Sequence, residues 1–236
     1  MVIERVESGI PGLDKVIEGG FVKNSTNLVA GTTGTGKTIF GCQYILKGLQ
    51  KGENGVYITL EQSTEDILAD IGRFGWDVLF KKYIDQKKMI LYSTYPTSIQ
   101  KLGESIFDIV KRINAKRLVL DSLSIATAGW EESTETSKIR RNVFDMMIML
   151  KKLDITSILL TEIPEDKVKA LSRFGFEEFV ADAVIILNYF EYAGGGTPRS
   201  LRVRKMRRTS HGTDTYPLVF TNEGLKVTAA KKGIVI

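Results

Sequence analysis

A run of glycines, hydroxyl side chains and one lysine at residues 31–38 could bind the phosphates of a nucleotide. It fits G-x-x-x-x-G-K-[ST], the phosphate-binding P-loop pattern. Glycines let the backbone fold tightly and turn several N–H groups inward at a phosphate. The lysine can reach the β- and γ-phosphates, and the last hydroxyl can hold Mg²⁺. The predicted nucleotide-binding residues are Gly31, Thr32, Thr33, Gly34, Thr35, Gly36, Lys37 and Thr38.

The segments on both sides of this loop strengthen the interpretation. Residues 27–30 are typical of a strand, and residues 39–46 are typical of a helix. A helix that begins at the loop directs its positive end at the bound phosphate. A Gly/Thr-rich turn in a chain of this length matches the pattern by accident about once in a hundred cases. The strand–loop–helix setting makes an accident rarer still, so the sequence predicts nucleotide binding.

Two acidic residues follow apolar segments that read as strands. Asp121 ends the run Leu-Val-Leu at residues 118–120, which is the Walker B pattern for the acid that positions Mg²⁺. Strands often end in Asp, so this interpretation depends on the P-loop upstream. Glu61 ends the strand at residues 56–60, and ligands of open α/β sheets lie at the carboxyl ends of strands. Glu61 could therefore activate water, although a solvated glutamate fits its position equally well.

A basic stretch at residues 199–208 leaves three interpretations open. Side chains alternate along a strand, so Lys205 and Arg207 share one face. Such a pair could clamp a developing phosphoryl charge in the manner of an arginine finger. It could also be a charged edge strand that prevents aggregation, or a nucleic-acid patch. The only histidine, His211, is of a type that is more often structural than catalytic when it stands alone.

Strands alternate with helices along most of the chain, which predicts a mainly parallel central sheet flanked by helices. Phe74 and Trp76 read mostly as core and, as the less common alternative, as neighbours of the adenine. The methionines Met146, Met147 and Met149 also read as core. Tyr192 to Pro198 reads as a hairpin-like connection to an antiparallel C-terminal extension of this α/β sheet. We expect a single domain over residues 1–236. The predicted strands are 56–60, 89–92, 117–122, 157–161, 183–187, 201–207, 218–221 and 225–227, and the predicted helices are 13–17, 64–75, 98–113 and 133–153.

Composition narrows the class of protein. A chain of 236 residues that is 43% hydrophobic and 26% charged can bury a substantial core. The net charge of +5 permits a nucleic-acid partner without requiring one. Cys42 is the only cysteine, and no Cys/His set has metal-site spacing. No apolar run approaches the roughly 20 residues of a membrane helix, and the N-terminus lacks a signal-peptide pattern, so we expect a cytoplasmic protein without a membrane partner.

Together these residues resemble the KaiC-like branch of the RecA-superfamily ATPases over essentially the whole chain. The P-loop and Asp121 are common to many P-loop proteins. The blocks at residues 173–182 and 205–211 are specific to this branch. The other matching segments are residues 8–14, 57–62, 74–76, 120–122 and 161–162.

The resemblance implies a RecA-like P-loop NTPase fold, assembled with itself as a homohexamer that holds ATP or ADP with Mg²⁺ at subunit interfaces. Glu61 falls on the catalytic glutamate that activates water, and Asp121 on the Walker B acid. Lys37 would neutralise the γ-phosphate. Lys205 and Arg207 fall on the basic pair that reaches the neighbour's nucleotide. Further residues that fall near the nucleotide are Met206, Thr209 and His211 beside that pair, and Arg73 near the base.

Two departures from the family pattern affect these expectations. The family often has two adjacent glutamates after the second strand, whereas this chain has Gln62 after Glu61. One carboxylate is enough for a base. A phosphorylated Ser/Thr pair known in the family falls at or near Glu178 and Phe179, so the sequence does not support self-phosphorylation there.

Three functions remain open at the level of sequence. The first is a ring that hydrolyses ATP. The second is a nucleotide-dependent assembly or signalling module with little turnover and an unknown protein partner. The third is a DNA-binding recombinase-like ATPase. The acidic stretch at residues 129–135 argues against DNA threading, and the mildly basic stretch at 166–173 keeps that function weakly in play.

Overall fold

The fold is that of a computed structural model, which describes residues 2–95, 98–128, 136–164, 176–189 and 198–230. The strands are β1 (Arg5–Val6), β2 (Phe21–Val22), β3 (Thr26–Gly31), β4 (Gly55–Thr59), β5 (Met89–Ser93), β6 (Arg117–Asp121), β7 (Thr156–Glu162), β8 (Ala183–Tyr189), β9 (Arg199–Met206), β10 (Thr215–Thr221) and β11 (Gly224–Val227). The helices are α1 (Leu13–Val16), α2 (Lys37–Gln50), α3 (Thr64–Gly72), α4 (Trp76–Asp85), α5 (Ile99–Ile113), α6 (Leu123–Ala128), α7 (Thr136–Lys152) and α8 (Glu177–Val180).

Nine strands form one sheet in the order β11-β10-β9-β8-β3-β7-β6-β4-β5. The six strands from β8 to β5 are parallel to one another. The strands β9, β10 and β11 extend this sheet by antiparallel pairing, and β1 and β2 form a separate antiparallel ribbon. The predicted fold class, a mainly parallel sheet with an antiparallel C-terminal extension, is confirmed. Among the described residues, we find no helix with the length and apolar content needed to span a membrane.

Helices cover both faces of the sheet because the central strands are apolar on both sides. In β3, Val29 belongs to the cluster formed with α2, α3 and α4. Its neighbours Leu28 and Ala30 belong to the opposite cluster, formed with α5 and α7. Met146 and Met147 of α7 are buried in that second cluster, as the sequence predicts.

Several helix ends follow from local chemistry. Ser63 and Asp66 form a capping box at the start of α3, and the Ser98 side chain accepts a hydrogen bond from the Lys101 N–H at the start of α5. The predicted helix over 64–75 ends at Gly72. A second helix, α4, then starts after Gly75, whose φ of 69° lets the chain change direction.

Some short elements were not predicted. These are the ribbon β1–β2 and the helices α4, α6 and α8. Helix α7 begins at Thr136, within the predicted 133–153. The acidic stretch 129–135 and the basic stretch 166–173 lie outside the described residues, and so does all of the predicted hairpin-like connection except Pro198.

Candidate active site

The carboxyl ends of four neighbouring strands bring the predicted catalytic residues to one edge of the sheet. Gly31, at the end of β3, pairs with Glu162 at the end of β7. Thr59, at the end of β4, pairs with Asp121 at the end of β6. Because these strands are parallel, the P-loop, Asp121 and the segment that carries Glu61 share this edge, which we call the P-loop edge. The sequence predicts this arrangement because ligands of open α/β sheets lie at the carboxyl ends of the strands.

The P-loop adopts a tight turn that depends on two glycines. Gly34 and Gly36 have φ of 74° and 103°, a region that side chains other than glycine rarely adopt. The Thr35 hydroxyl donates to the Thr32 carbonyl oxygen at 2.8 Å. Lys37 Nζ donates to the carbonyl oxygens of Gly31 and Thr32 at 2.9 and 3.0 Å. The loop therefore holds its lysine over its own backbone, close to where a phosphate binds in P-loop proteins.

Asp121, the predicted Walker B acid, is hydrogen-bonded to the P-loop. The Thr38 hydroxyl donates to Asp121 Oδ2 at 2.8 Å, and the Tyr57 hydroxyl donates to the same oxygen at 2.7 Å. Asp121 is only 4% exposed. Burial raises the pKa of its carboxyl, while the hydrogen bonds from Tyr57 and Thr38 oppose that rise.

The oxygen atoms at this position fit Mg²⁺. Mg²⁺ prefers hard oxygen ligands and usually takes one or two protein carboxylates, with phosphates and waters completing its shell. Thr38 supplies a hydroxyl and Asp121 a carboxylate within hydrogen-bond distance of each other. No cluster of three or more His, Cys, Asp or Glu occurs in the part of the chain that the structure describes. With Thr38 and Asp121 as protein ligands, Mg²⁺ would take the rest of its shell from nucleotide phosphates and waters.

Glu61 lies at the same edge and is exposed to solvent. Partial desolvation raises the pKa of its carboxyl, and the hydrogen bond from the Ser122 hydroxyl to Oε1 opposes this rise. Lys37 lies near enough for its charge to act on the Glu61 carboxyl. A glutamate with a raised pKa is better suited to take a proton from water than one with an ordinary pKa. Ser122 was not predicted as a site residue, because its contact with Glu61 joins two different strand ends.

Thr161 and Glu162 lie at the end of β7, between the P-loop strand β3 and the strand β6 that carries Asp121. The Ser124 hydroxyl is 3.1 Å from the Thr161 hydroxyl, and it accepts the Glu162 N–H at 2.8 Å. Burial lowers the pKa of Lys37, and the charges of Glu162, Asp121 and Glu61 oppose that shift. The charges of three carboxylates therefore act on the P-loop lysine.

An aromatic ring borders the end of the P-loop. A Cβ added to Gly36 would lie 3.0 Å from the Phe220 ring. The Arg73 guanidinium lies 5.9 Å from the centroid of that ring and 4.9 Å from the centroid of Phe74. Arg73, which is predicted to lie near the base, therefore lies close to the Phe220 ring, and that ring borders the end of the P-loop. Trp76 is buried against Phe74, as expected for a core residue.

Phe220 carries no sequence signal for this position. It is one apolar residue of the antiparallel strand β10. Phe220 follows the P-loop by more than 180 residues. The folded chain brings Phe220 of β10 and Leu225 of β11 beside Gly36, the residue that precedes α2.

The predicted basic pair lies at the opposite edge of the sheet. In the β8–β9 ladder, Lys205 pairs with Val184, near the start of β8, whereas Gly31 of the P-loop strand pairs with Leu187. Lys205 Nζ donates to three backbone carbonyl oxygens around the end of α8, at 2.6–3.2 Å. Arg207 donates to the Phe179 carbonyl oxygen at 3.4 Å. Within this chain the pair does not reach the P-loop.

The residues that neighbour Lys205 and Arg207 in sequence differ in burial and in hydrogen-bond partners. Met206 is buried, and the Thr209 hydroxyl accepts a hydrogen bond from Arg5 at 2.6 Å. His211 Nδ1 is 3.0 Å from the Gly212 carbonyl oxygen. Burial lowers the pKa of Lys205, and the nearby Arg207 charge acts in the same direction.

Comparisons with family models, with curated proteins and with solved structures each identify the same family. The family model described as "ATPase: KaiC" matches residues 6–232. The circadian clock oscillator protein KaiC of Picosynechococcus sp. is 32% identical over 95% of this chain and 44% of its own length. That of Prochlorococcus marinus subsp. pastoris is 33% identical over 97% of this chain and 46% of its own. This chain therefore spans less than half the length of these relatives.

A solved structure extends the similarity to the backbone. The crystal structure of a KaiC-like protein from the hyperthermophilic archaeon Pyrococcus horikoshii has a TM-score of 0.87 to this chain and is 39% identical to it. The match covers 97% of this chain and the whole of that one.

Proposed function

This chain belongs to the KaiC-like branch of the RecA-superfamily P-loop ATPases, and we propose that it hydrolyses Mg²⁺–ATP at sites that a neighbouring copy completes in a six-membered ring. The observation that carries this proposal is the hydrogen bond from Thr38 of the P-loop to the buried Asp121, with Glu61 at the same edge. Phosphate-binding loop, metal acid and candidate base thus occur together, which hydrolysis requires and simple nucleotide binding does not.

Each residue has a defined role in this proposal. The P-loop N–H groups and Lys37 bind the β- and γ-phosphates, while Thr38 and Asp121 hold the metal ion. Mg²⁺, when bound, neutralises developing charge on the phosphate oxygens. Glu61 accepts a proton from the attacking water, and the hydrogen bond from Ser122 orients its carboxylate.

The position of the basic pair supports a role on a neighbouring subunit. Along β8, three residues at roughly 3.3 Å each separate the level of Lys205 from that of Gly31. The side chains of Lys205 and Arg207 are bonded to carbonyl oxygens around the end of α8 and not to their own P-loop. A head-to-tail contact would bring them to the P-loop edge of the next copy, and repetition of that contact closes a ring.

The test combines steady-state ATP hydrolysis with mass in solution, measured with and without ATP. Hydrolysis by a six-subunit species, lost in Glu61→Gln, supports the proposal. Assembly and nucleotide binding without turnover would replace it with a nucleotide-dependent scaffold. Hydrolysis by a monomer would remove the role of the neighbouring subunit.

A further inference from the structure

Beyond these assigned roles, we propose that Tyr189 and Arg199 form a clamp that sets the orientation of the Gly34–Thr35 peptide and so tunes the phosphate affinity of the P-loop. We call these two residues the β8–β9 clamp. The inference rests on the proposed nucleotide-binding function, and it assigns positioning roles to two residues outside every P-loop motif.

The clamp sits where the sheet topology brings it to the loop. Tyr189 and Arg199 are direct cross-strand partners at the end of the β8–β9 ladder. Strand β8 is also the parallel neighbour of β3, and Leu187 pairs with Gly31 at the start of the P-loop. Two residues further along β8, Tyr189 therefore lies beside the loop as it leaves the sheet.

Three hydrogen bonds connect the clamp to one carbonyl group. The Tyr189 hydroxyl donates to the Gly34 oxygen at 2.7 Å, and Arg199 Nε donates to the same oxygen at 3.0 Å. Arg199 Nη2 donates to the Tyr189 hydroxyl at 3.2 Å. Because the hydroxyl accepts from Arg199, its own proton is directed at Gly34. Both lone pairs of the Gly34 carbonyl oxygen are thus used.

The orientation of this carbonyl has a direct consequence for phosphate binding. In a trans peptide the C=O and the next N–H point in opposite directions. With the Gly34 oxygen held against the clamp, the Thr35 N–H is directed to the other side of the loop, where a phosphate binds. A flipped peptide would instead present a carbonyl oxygen to an anion. Gly34 has no side chain to resist such a flip, so the clamp supplies the restraint.

Arg199 is itself held by two aromatic rings. Its guanidinium carbon lies 4.7 Å from the Phe220 centroid and 5.1 Å from the Tyr189 centroid. Phe220 also borders Gly36. The planar guanidinium therefore links the aromatic ring at one end of the P-loop with the apex of the loop. Lysine keeps the charge but cannot reproduce the stacking or the forked hydrogen bonds.

The experiment separates a phosphate effect from a general loss of structure. Tyr189→Phe removes one hydroxyl, and Arg199→Lys removes the fork while keeping the charge. Tyr92→Phe and Arg202→Lys, at exposed positions of β5 and β9, are the matched controls. The probes are ATP, inorganic tripolyphosphate and adenosine, with dissociation constants measured by calorimetry or competition.

We expect Tyr189→Phe to weaken the binding of ATP and of tripolyphosphate to a similar extent. The loss of affinity should be about five- to tenfold, the size expected for one hydrogen bond. Arg199→Lys should weaken both at least as much. Adenosine affinity, and the melting temperature without ligand, should match those of the controls. Equal ATP affinity in parent and clamp variants, or a parallel loss of adenosine affinity, overturns the inference.

A second measurement keeps this inference separate from the proposed function. Hydrogen exchange of the P-loop amides, followed without nucleotide, should be faster in Tyr189→Phe than in Tyr92→Phe. If the parent protein binds neither ATP nor tripolyphosphate, the proposed function fails, yet the exchange experiment still tests the clamp. Unchanged exchange in residues 31–38 then rejects it.

Discussion

At the scale of single residues, the proposed mechanism assigns the two tasks of hydrolysis to two carboxylates in different environments. Asp121 is nearly fully buried and accepts two hydrogen bonds on one oxygen, which suits a fixed metal ligand. Glu61 is exposed to solvent and accepts from Ser122 alone among the hydrogen bonds described for it, which suits a group that must take a proton from water. Environments that differ in this way allow neighbouring acids to have different roles.

Replacement of Glu61 by glutamine tests the role of the base. Glutamine keeps the shape and can still contact Ser122, but it cannot accept a proton from water. We expect ATP turnover to fall by at least about a hundredfold, the lower range for loss of a general base, with ATP affinity retained. Glu65→Gln, at an exposed position in the first turn of α3, is the control and should keep full turnover. Comparable turnover in Glu61→Gln would assign the base elsewhere.

Tyr57 should act on metal binding through Asp121. Its buried hydroxyl donates to Asp121 Oδ2, and removal of the hydroxyl leaves Thr38 as the one described donor to that oxygen. We expect Tyr57→Phe to raise the Mg²⁺ concentration for half-maximal ATP binding by about tenfold, as is typical when a partner of a metal ligand is lost. The measurement is a Mg²⁺ titration of ATP affinity, with Tyr92→Phe as control. An equal loss of affinity for ATP without metal would instead indicate a general structural effect.

The sequence predicts site residues well where the chemistry is local. Residues 31–38 lie together in one segment, and Asp121 is recognised by the apolar strand before it. The site residues that the sequence does not predict are Tyr57, Ser122, Tyr189 and Phe220, and their contacts join residues 61 to 184 positions apart. No spacing rule encodes such contacts, since they depend on the order of strands in the sheet.

At the scale of elements, α2 is fixed to the sheet by a buried arginine. Arg117, the first residue of β6, is 1% exposed. It donates to Glu53 at 2.5 Å and to the carbonyl oxygens of Glu7 and Tyr44 at 2.8 and 2.9 Å. Its side chain runs directly against Gly48 of α2. Because α2 also begins at the P-loop, this packing determines how the loop is held.

A pair of alanine substitutions tests that packing. A Cβ at Gly48 would lie 2.4 Å from two side-chain atoms of Arg117, whereas a Cβ at Gly103 of α5 would meet only the Met149 side chain at 3.8 Å. Helix propensity alone favours alanine at both positions by about 1 kcal/mol. We expect Gly103→Ala to be stabilising by up to that amount and Gly48→Ala to be destabilising by about 1–3 kcal/mol, the usual cost of overpacking. Urea denaturation measures both, and stabilisation by Gly48→Ala would show that Arg117 is free to move.

The sequence predicts the elements that carry a clear apolar period and does not predict α4, α6 and α8. Helix α5 and the central strands carry clear patterns and were predicted within a few residues. Helix α4 was missed because its predecessor ends in a Phe-Gly-Trp turn that reads as a stop, and Gly75 restarts the chain in a new direction. The four-residue helix α8 is too short to show a period.

At the scale of the whole molecule, the two ends of the sheet have complementary chemistry. The P-loop edge carries Glu61, Asp121 and Glu162, and the opposite edge carries Lys205 and Arg207. Strand direction alone places these sets apart, and the sequence could predict that Lys205 and Arg207 share a face. It could not predict that they contact the end of α8, which is a property of the folded chain.

This separation leads to a complementation experiment. Glu61→Gln disables the site of its own subunit, and Arg207→Ala disables the site of the neighbour, so each variant alone should hydrolyse ATP poorly. In mixed rings, a Glu61→Gln subunit can supply Arg207 to the intact Glu61 of an Arg207→Ala subunit. Random mixing at equal amounts should therefore restore about a quarter of the interfaces, and turnover should rise to about that fraction of the parent's.

The control for the basic residue is Arg204→Ala, an exposed position of β9 next to the pair. Arg207 is half-exposed, with a contact of 3.8 Å to Asp182, so its removal should change the stability of the chain little. Turnover that stays low in the mixture, although mass measurements show mixed rings, would mean that both residues serve the same subunit. Full turnover in Arg207→Ala alone would mean that the sheet edge with Lys205 and Arg207 joins subunits without taking part in ATP hydrolysis. Recovery in the mixture requires that each site be built from two copies, because neither variant contains a complete one.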